Sequence, residues 1–136
     1  MNTSKNITTT LHLTAASFEA EVLKSKQPVL VVFRTPWSRP CQVFDPILQE
    51  LARDWAGKVK VASVNADDSL DLSLYYDIQS IPTLLYFVEG KLRLQIVGTA
   101  TKDAILAKLK ASGFADHVDT SVKGDSGAGR QPRKEN

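Results

Sequence analysis

Residues 37 to 41, Trp37-Ser38-Arg39-Pro40-Cys41, gather a hydroxyl, a guanidinium and the only thiol of the chain. The thiolate, not the thiol, is the form of cysteine that attacks disulfides and is oxidised, so charge around Cys41 decides what it can do. Arg39 lies beside Ser38 and two positions from Cys41, where its positive potential either favours a thiolate or attracts an acidic partner. The bland alternative is a solvated surface arginine. Two readings of Cys41 stand together. In one it is a small, half-buried residue packed beneath Trp37; in the other it is a monothiol that forms mixed disulfides with glutathione or a partner thiol, or becomes a sulfenic acid. The Ser38 hydroxyl is a poor nucleophile at neutral pH unless a base takes its proton. His12 and His117, the only two histidines, stand at no spacing that supplies one.

One cysteine excludes an intrachain disulfide and any multi-cysteine zinc or iron–sulfur site, so no cofactor is expected. A chain without disulfides fits a reducing cytoplasm. Seventeen basic and fifteen acidic side chains leave a formal charge of +2, far from the one-signed field that draws nucleic acid or an anionic membrane. Neither partner is expected. The first twelve residues lack the apolar core of a signal peptide. The longest apolar run, Pro28 to Phe33, is far short of the ~20 residues of a membrane span. A soluble protein that stays where it is made is the expectation.

The 136 residues, 43% of them apolar, suffice for one packed domain and not two. Residues 1–7 read as a loose arm, 8–114 as the domain, and 115–136 as a solvated tail whose four basic and four acidic residues cancel. Inside the domain the hydrophobic period switches regularly. Thr8 to His12 reads as a short edge strand. Thr14 reads as a helix cap, Leu13 and Phe18 as its hydrophobic staple, and Val22 and Leu23 as the continuing apolar face of a helix to about Lys24.

"PVLVVF" (28–33) is unalternated and β-branched, which predicts a central strand buried on both faces. Phe44, Ile47, Leu48, Leu51 and Trp55 fall at helical spacing before the stop signal Gly57, with a kink expected at Pro46. "KVKVASV" (58–64) is the next strand, followed by a short helix around Leu70 to Tyr76. "TLLYFV" (83–88), the Glu89-Gly90 turn and "KLRLQIV" (91–97) predict a hairpin with Leu92, Leu94 and Ile96 on one face. Thr101 opens a last helix that turns Ile105, Leu106 and Leu109 inward and closes at Gly113 with Phe114. The order β-α-β-α-β-α-β-β-α predicts an α/β fold, a mixed sheet flanked by helices on both faces.

This order, with "PVLVVF", "PWSRPC", "GKVKVASVNAD", "SIPTLLYF", the Glu89-Gly90 turn and "VG" at 97–98, resembles the thioredoxin family over about residues 8–113. The resemblance implies the thioredoxin fold and places residues 37–41 at the family's redox motif, Trp-Cys-Gly-Pro-Cys, at a helix N-terminus. There the helix dipole and unpaired N–H groups stabilise a thiolate. The first cysteine attacks a substrate disulfide and the second resolves the mixed disulfide.

Trp37, Pro40 and Cys41 match, but Ser38 stands at the position of the attacking cysteine and Arg39 at that of the glycine. Val32 stands where the family commonly buries an Asp, and Ser63 where it carries the partnering Lys. Loss of the attacking cysteine, the Asp and the Lys together implies a natural non-dithiol member rather than a single disabling substitution. Ile81-Pro82-Thr83 resembles the family's cis-proline loop, which pairs through its backbone with extended substrate segments.

Trp37, Arg39, Pro40, Ile81, Pro82, Thr83 and Gly98 are therefore the expected partner-binding residues, for protein or peptide segments, although Ile81 and Gly98 equally suit packing and turn geometry. Cys41 and Ser38 are the positions for any residual chemistry. The leading expectation is an adaptor or co-chaperone with little or no dithiol–disulfide turnover. A monothiol redox protein working through Cys41 is the alternative, and a stabilising subunit tethered by its tail is a third.

Overall fold

The computed structural model describes residues 10–112. The expectations for the arm, the Gly113–Phe114 helix end and the tail lie outside these residues. Five strands form one mixed sheet in the order β1-β3-β2-β4-β5: β1 (Leu11–Leu13), β2 (Val29–Arg34), β3 (Lys60–Asn65), β4 (Thr83–Val88) and β5 (Lys91–Val97). β3 runs parallel to β1 and β2, whereas β4 is antiparallel to β2 and β5. The helices are α1 (Ala15–Phe18, continued by Glu19–Leu23), α2 (Arg39–Asp54), α3 (Leu70–Tyr75) and α4 (Lys102–Ala111).

β2 is central because both of its faces are needed. Leu30 and Val32 pack with Phe44, Leu48 and Leu51 of α2 and Ile105 and Leu109 of α4. Val29, Val31 and Phe33 face the opposite layer, with Phe18 and Val22 of the first helix and the inner side of α3, Leu72 and Tyr76. Each such side chain contributes roughly 1.5–3 kcal/mol by leaving water, which is what fixes α2 against the sheet.

The first helix opens as expected. Thr14 Oγ1 accepts the Ser17 amide at 3.2 Å, Ser17 Oγ accepts the Thr14 amide at 3.0 Å, and Leu13 and Phe18 share one cluster. It then widens into a π-helical turn, in which the Lys24 amide reaches the Glu19 carbonyl at 2.9 Å. The wider turn buries Val22 and leaves Leu23 exposed, so Leu23 does not continue the apolar face.

A second expectation also fails. In the β4–β5 hairpin Tyr86 pairs with Leu94 but Phe87 pairs with Leu92, so Arg93 is the extra residue of a β-bulge. The bulge puts Leu92 opposite Phe87, 42% exposed, while Leu94 and Ile96 pack on the other layer with Tyr86 and Leu84. The three residues therefore do not share a face, because one inserted residue reverses side-chain alternation.

Candidate functional site

β2 ends at Arg34, and the chain turns through Thr35, Pro36 and Trp37 into α2. The Ser38 amide donates to the Thr35 carbonyl at 3.4 Å, closing this turn. Ser38 is then extended (φ −80°, ψ 123°), and its Oγ accepts the Cys41 amide at 3.3 Å while its carbonyl accepts the Gln42 amide at 3.0 Å. This is an N-cap, the position where a serine oxygen satisfies one of the orphan amides of a helix. Pro40 occupies the first turn, where the amide it lacks has no partner to lose. Gln42 Nε2 donates back to the Pro36 carbonyl at 2.7 Å and braces the loop from the other side.

Burial revises the picture of both chemistry-bearing residues. Ser38 is only 5% exposed, and among the described residues its hydroxyl touches no side-chain base. Cys41 is not half-buried but 1% exposed, because it begins the inward stripe of α2 that continues at Phe44, Leu48 and Leu51. Trp37 instead stands out at 67% exposure, its indole Nε1 donating to Asp67 Oδ2 at 2.7 Å. Asp67, thirty residues away on the loop after β3, escaped sequence reasoning. No local signal marks a long-range partner of this kind.

Beneath α2 the register sets Ile96, Leu84, Val32, Ser63 and His12 in one row across all five strands. Val32 is fully buried and apolar. Ser63 Oγ and His12 Nδ1 lie 2.8 Å apart, so the row's polar end is a hydroxyl–imidazole contact at the edge strand. Arg34 ends β2 on the same face and grips α2 through Asp45 Oδ2 at 2.9 Å. That contact was readable in principle. A charged residue closing a fully buried strand, on the parity of Leu30 and Val32, must find an acid on the helix above.

The proline loop lies at the same end of the sheet. Thr83 opens β4 opposite Phe33 of β2 and Val97 of β5. The Ile81–Pro82 bond is cis, and the Gly98 amide donates to the Pro82 carbonyl at 2.8 Å. Gly98 has φ +89°, a backbone shape that L side chains rarely take. Thr83 is 1% exposed and donates its hydroxyl to the Ser80 carbonyl at 2.7 Å, so its side chain is not open to a partner. Pro82 is buried as well, whereas Ile81 is half-buried and Arg39 and Pro40 are exposed. Among the described residues the Ile81 amide and carbonyl have no hydrogen-bond partner. The structure thus brings Trp37, Arg39, Pro40, Ile81 and Gly98 to one end of the sheet, with Cys41 and Ser38 under the surface.

The family model described as Thioredoxin matches residues 9–111. The chain belongs to the thioredoxin family. It is similar to thioredoxin of Pseudomonas aeruginosa, 40% identical over 102 residues that cover 75% of this chain and 94% of the relative. Similarity to thioredoxin of Acidithiobacillus ferridurans is 42% over 106 residues, 78% of this chain and 93% of that one. Thioredoxin C-2 of Corynebacterium nephridii is 38% identical over 99 residues, covering 73% and 92%. This is therefore a thioredoxin-like protein of a redox family. No helix among the described residues is long and apolar enough to cross a membrane.

Proposed function

We propose that this thioredoxin-like protein binds extended polypeptide segments of partner proteins, as an adaptor or co-chaperone, with little or no dithiol–disulfide turnover. The observation that carries the reading is at Ser38: its oxygen is spent on capping α2, leaving the site a single sulfur that is 1% exposed. Two-electron exchange within one chain needs a second sulfur to resolve the mixed disulfide. The surface around it supports contact instead. Trp37 offers an exposed aromatic face, Arg39 a charge, and the Ile81 amide and carbonyl, unpaired among the described residues, can extend a partner's backbone hydrogen bonding. The lone cysteine is consistent with a reducing cytoplasm as the working compartment.

The test pairs catalysis with binding. Insulin reduction under dithiothreitol should stay at the uncatalysed rate. A reduced, carboxymethylated and hence permanently unfolded polypeptide should bind the full chain. Trp37→Ala should weaken that binding by about tenfold, the usual scale for truncating an aromatic anchor. Cys41→Ser should leave it unchanged. Loss of binding in Cys41→Ser, or disulfide-linked adducts that accumulate with oxidised glutathione, would favour the monothiol alternative.

A further inference from the structure

Helix α3 is inverted in one respect: much of its apolar surface points to solvent. Leu72 and Tyr76 pack inward against the layer built on Phe18, Phe33 and Phe87. On the other side Leu70 is 63% exposed, and Leu74 and Tyr75 are each 78% exposed. Leu70 and Leu74 are one helical turn apart, and Asp71 and Tyr75 complete the same outward arc. Tyr75 is held upright by an edge-on contact with Tyr76, their ring centroids 4.8 Å apart at 84°. The exposed Trp37 is tied through Asp67 to the loop that leads into this helix.

The charge carried by this segment has one sign. Between Asn65 and Ser80 the sequence carries Asp67, Asp68, Asp71 and Asp77, with no Lys, Arg or His. Among the described residues none of these four carboxylates takes part in an ion pair. Asp67 accepts from Trp37 and Asp77 from Gln79, both neutral donors. The chain as a whole is nearly balanced at +2, so this segment is a local excess of negative charge beside exposed apolar side chains. Isolated exposed leucines are ordinary, but several large apolar side chains grouped inside a rim of charge mark an interaction surface.

We propose that the outward face of α3 is a second docking surface, distinct from the groove at Ile81, and that its occupant is a cationic amphipathic segment of another polypeptide. Its aliphatic side chains would cover Leu70, Leu74 and Tyr75, and its Lys and Arg side chains would meet the aspartates. Two other occupants fit worse. A second copy of this chain, placed face to face across a two-fold axis, would set the four aspartates against their own images. The chain's own residues 115–136 carry four basic and four acidic residues and only Val118 and Val122 as larger aliphatics, so they offer neither the charge nor the apolar stripe.

The experiment uses the full-length protein and fluorescence polarisation of three labelled synthetic peptides. One is an amphipathic Lys/Leu helix former, the second has Glu for every Lys, and the third scrambles the first. The Lys/Leu peptide should bind at least about tenfold tighter than either control, and its affinity should fall several-fold between low and high salt as the charges are screened. Leu74→Ser/Tyr75→Ser should weaken it at least about tenfold, the loss expected when central contacts of an interface are removed. Asp71→Asn/Asp77→Asn should flatten the salt dependence.

Ile81→Asp, which disables the groove of the proposed function, should leave this binding intact, so the two surfaces fail separately. Circular dichroism and thermal melts confirm that each variant folds. Equal affinity for the Glu/Leu peptide, or indifference to the Leu74/Tyr75 variant, overturns the proposal. It is equally overturned if sedimentation shows a dimer that the same variant dissolves. Tighter peptide binding after Lys123, Arg130, Arg133 and Lys134 are changed to Gln in the full chain would make the tail the occupant, and overturn it too.

Discussion

Ser38 Oγ accepts the backbone amide of Cys41 at 3.3 Å, and this bond links the two chain positions that carry the reacting sulfurs in a dithiol site. The oxygen is used as a helix cap, and its value is structural. Ser38→Ala should destabilise the fold by about 1 kcal/mol, the usual cost of losing a serine cap. In a domain near 100 residues that corresponds to a drop of about 4 °C in melting temperature. Ser38→Cys should do the reverse of what the natural residue does. It recreates two thiols at Cys-X-X-Cys spacing, and the variant should form an intrachain disulfide and reduce insulin above background. A wild-type protein that matched the variant in that assay would remove the basis of the proposed function.

Cys41 sits on the inward face of α2, and a reagent reaches it only after the helix N-terminus opens. Its reaction with an aromatic disulfide reagent should be slower in the native protein than in denaturant by on the order of a hundredfold. That is the factor set by a local opening that costs about 3 kcal/mol. A native rate close to the denatured one would mean that the sulfur is open to solvent, and would restore the monothiol reading.

Gly90 and Gly57 separate two costs that usually arrive together. Both have positive φ, +78° and +84°, so an alanine at either is strained. A Cβ at Gly57 meets nothing within 4 Å, whereas one at Gly90 would stand 2.5 Å from the Leu23 carbonyl oxygen. Gly57→Ala should therefore cost about 1 kcal/mol, from backbone strain alone. Gly90→Ala should cost about 3 kcal/mol, because the hairpin turn must also back away from the end of the first helix. Urea unfolding of the two variants measures the difference directly, and equal losses would rule out that close approach.

The fold was legible because its signals are local and repeated. β2 announces a two-faced strand by its unbroken β-branched run, and Thr14 and Thr101 announce helix starts by their hydroxyls. The bulge at Arg93 and the π-helical turn at Glu19–Leu23 were not legible. Each is one residue of slippage that the packing of distant elements selects, and hydrophobic period alone cannot register it. At the candidate site the residues singled out in the sequence lie together at one end of the sheet. The depth of Cys41, the closed side chain of Thr83 and the Trp37–Asp67 bond all depend on segments that meet only after folding.

The alkaline side of the stability curve carries the last prediction, and its sign follows from three groups. Burial pushes the Tyr86 hydroxyl up to about 12, with Arg93 acting weakly in the opposite sense. Burial and the neighbouring Tyr75 raise Tyr76, and hydrogen bonds to Asp54 and Glu50 raise Lys102. In the unfolded chain a tyrosine loses its proton near pH 10. Folded Tyr86 holds its proton to about pH 12, so between these values the unfolded state binds fewer protons and rising pH favours it.

Lys102 acts in the same direction, since its paired, protonated form is favoured in the fold and that advantage disappears as the ammonium titrates. Stability should be flat on account of these groups below about pH 10 and fall steadily above it. Urea midpoints across this range, together with the ultraviolet absorbance of tyrosinate, give the measurement. Tyr86→Phe removes the largest of these shifts and should make the decline shallower. A variant that declines as steeply as the wild type would show that Tyr86 ionises in the fold as easily as in the open chain.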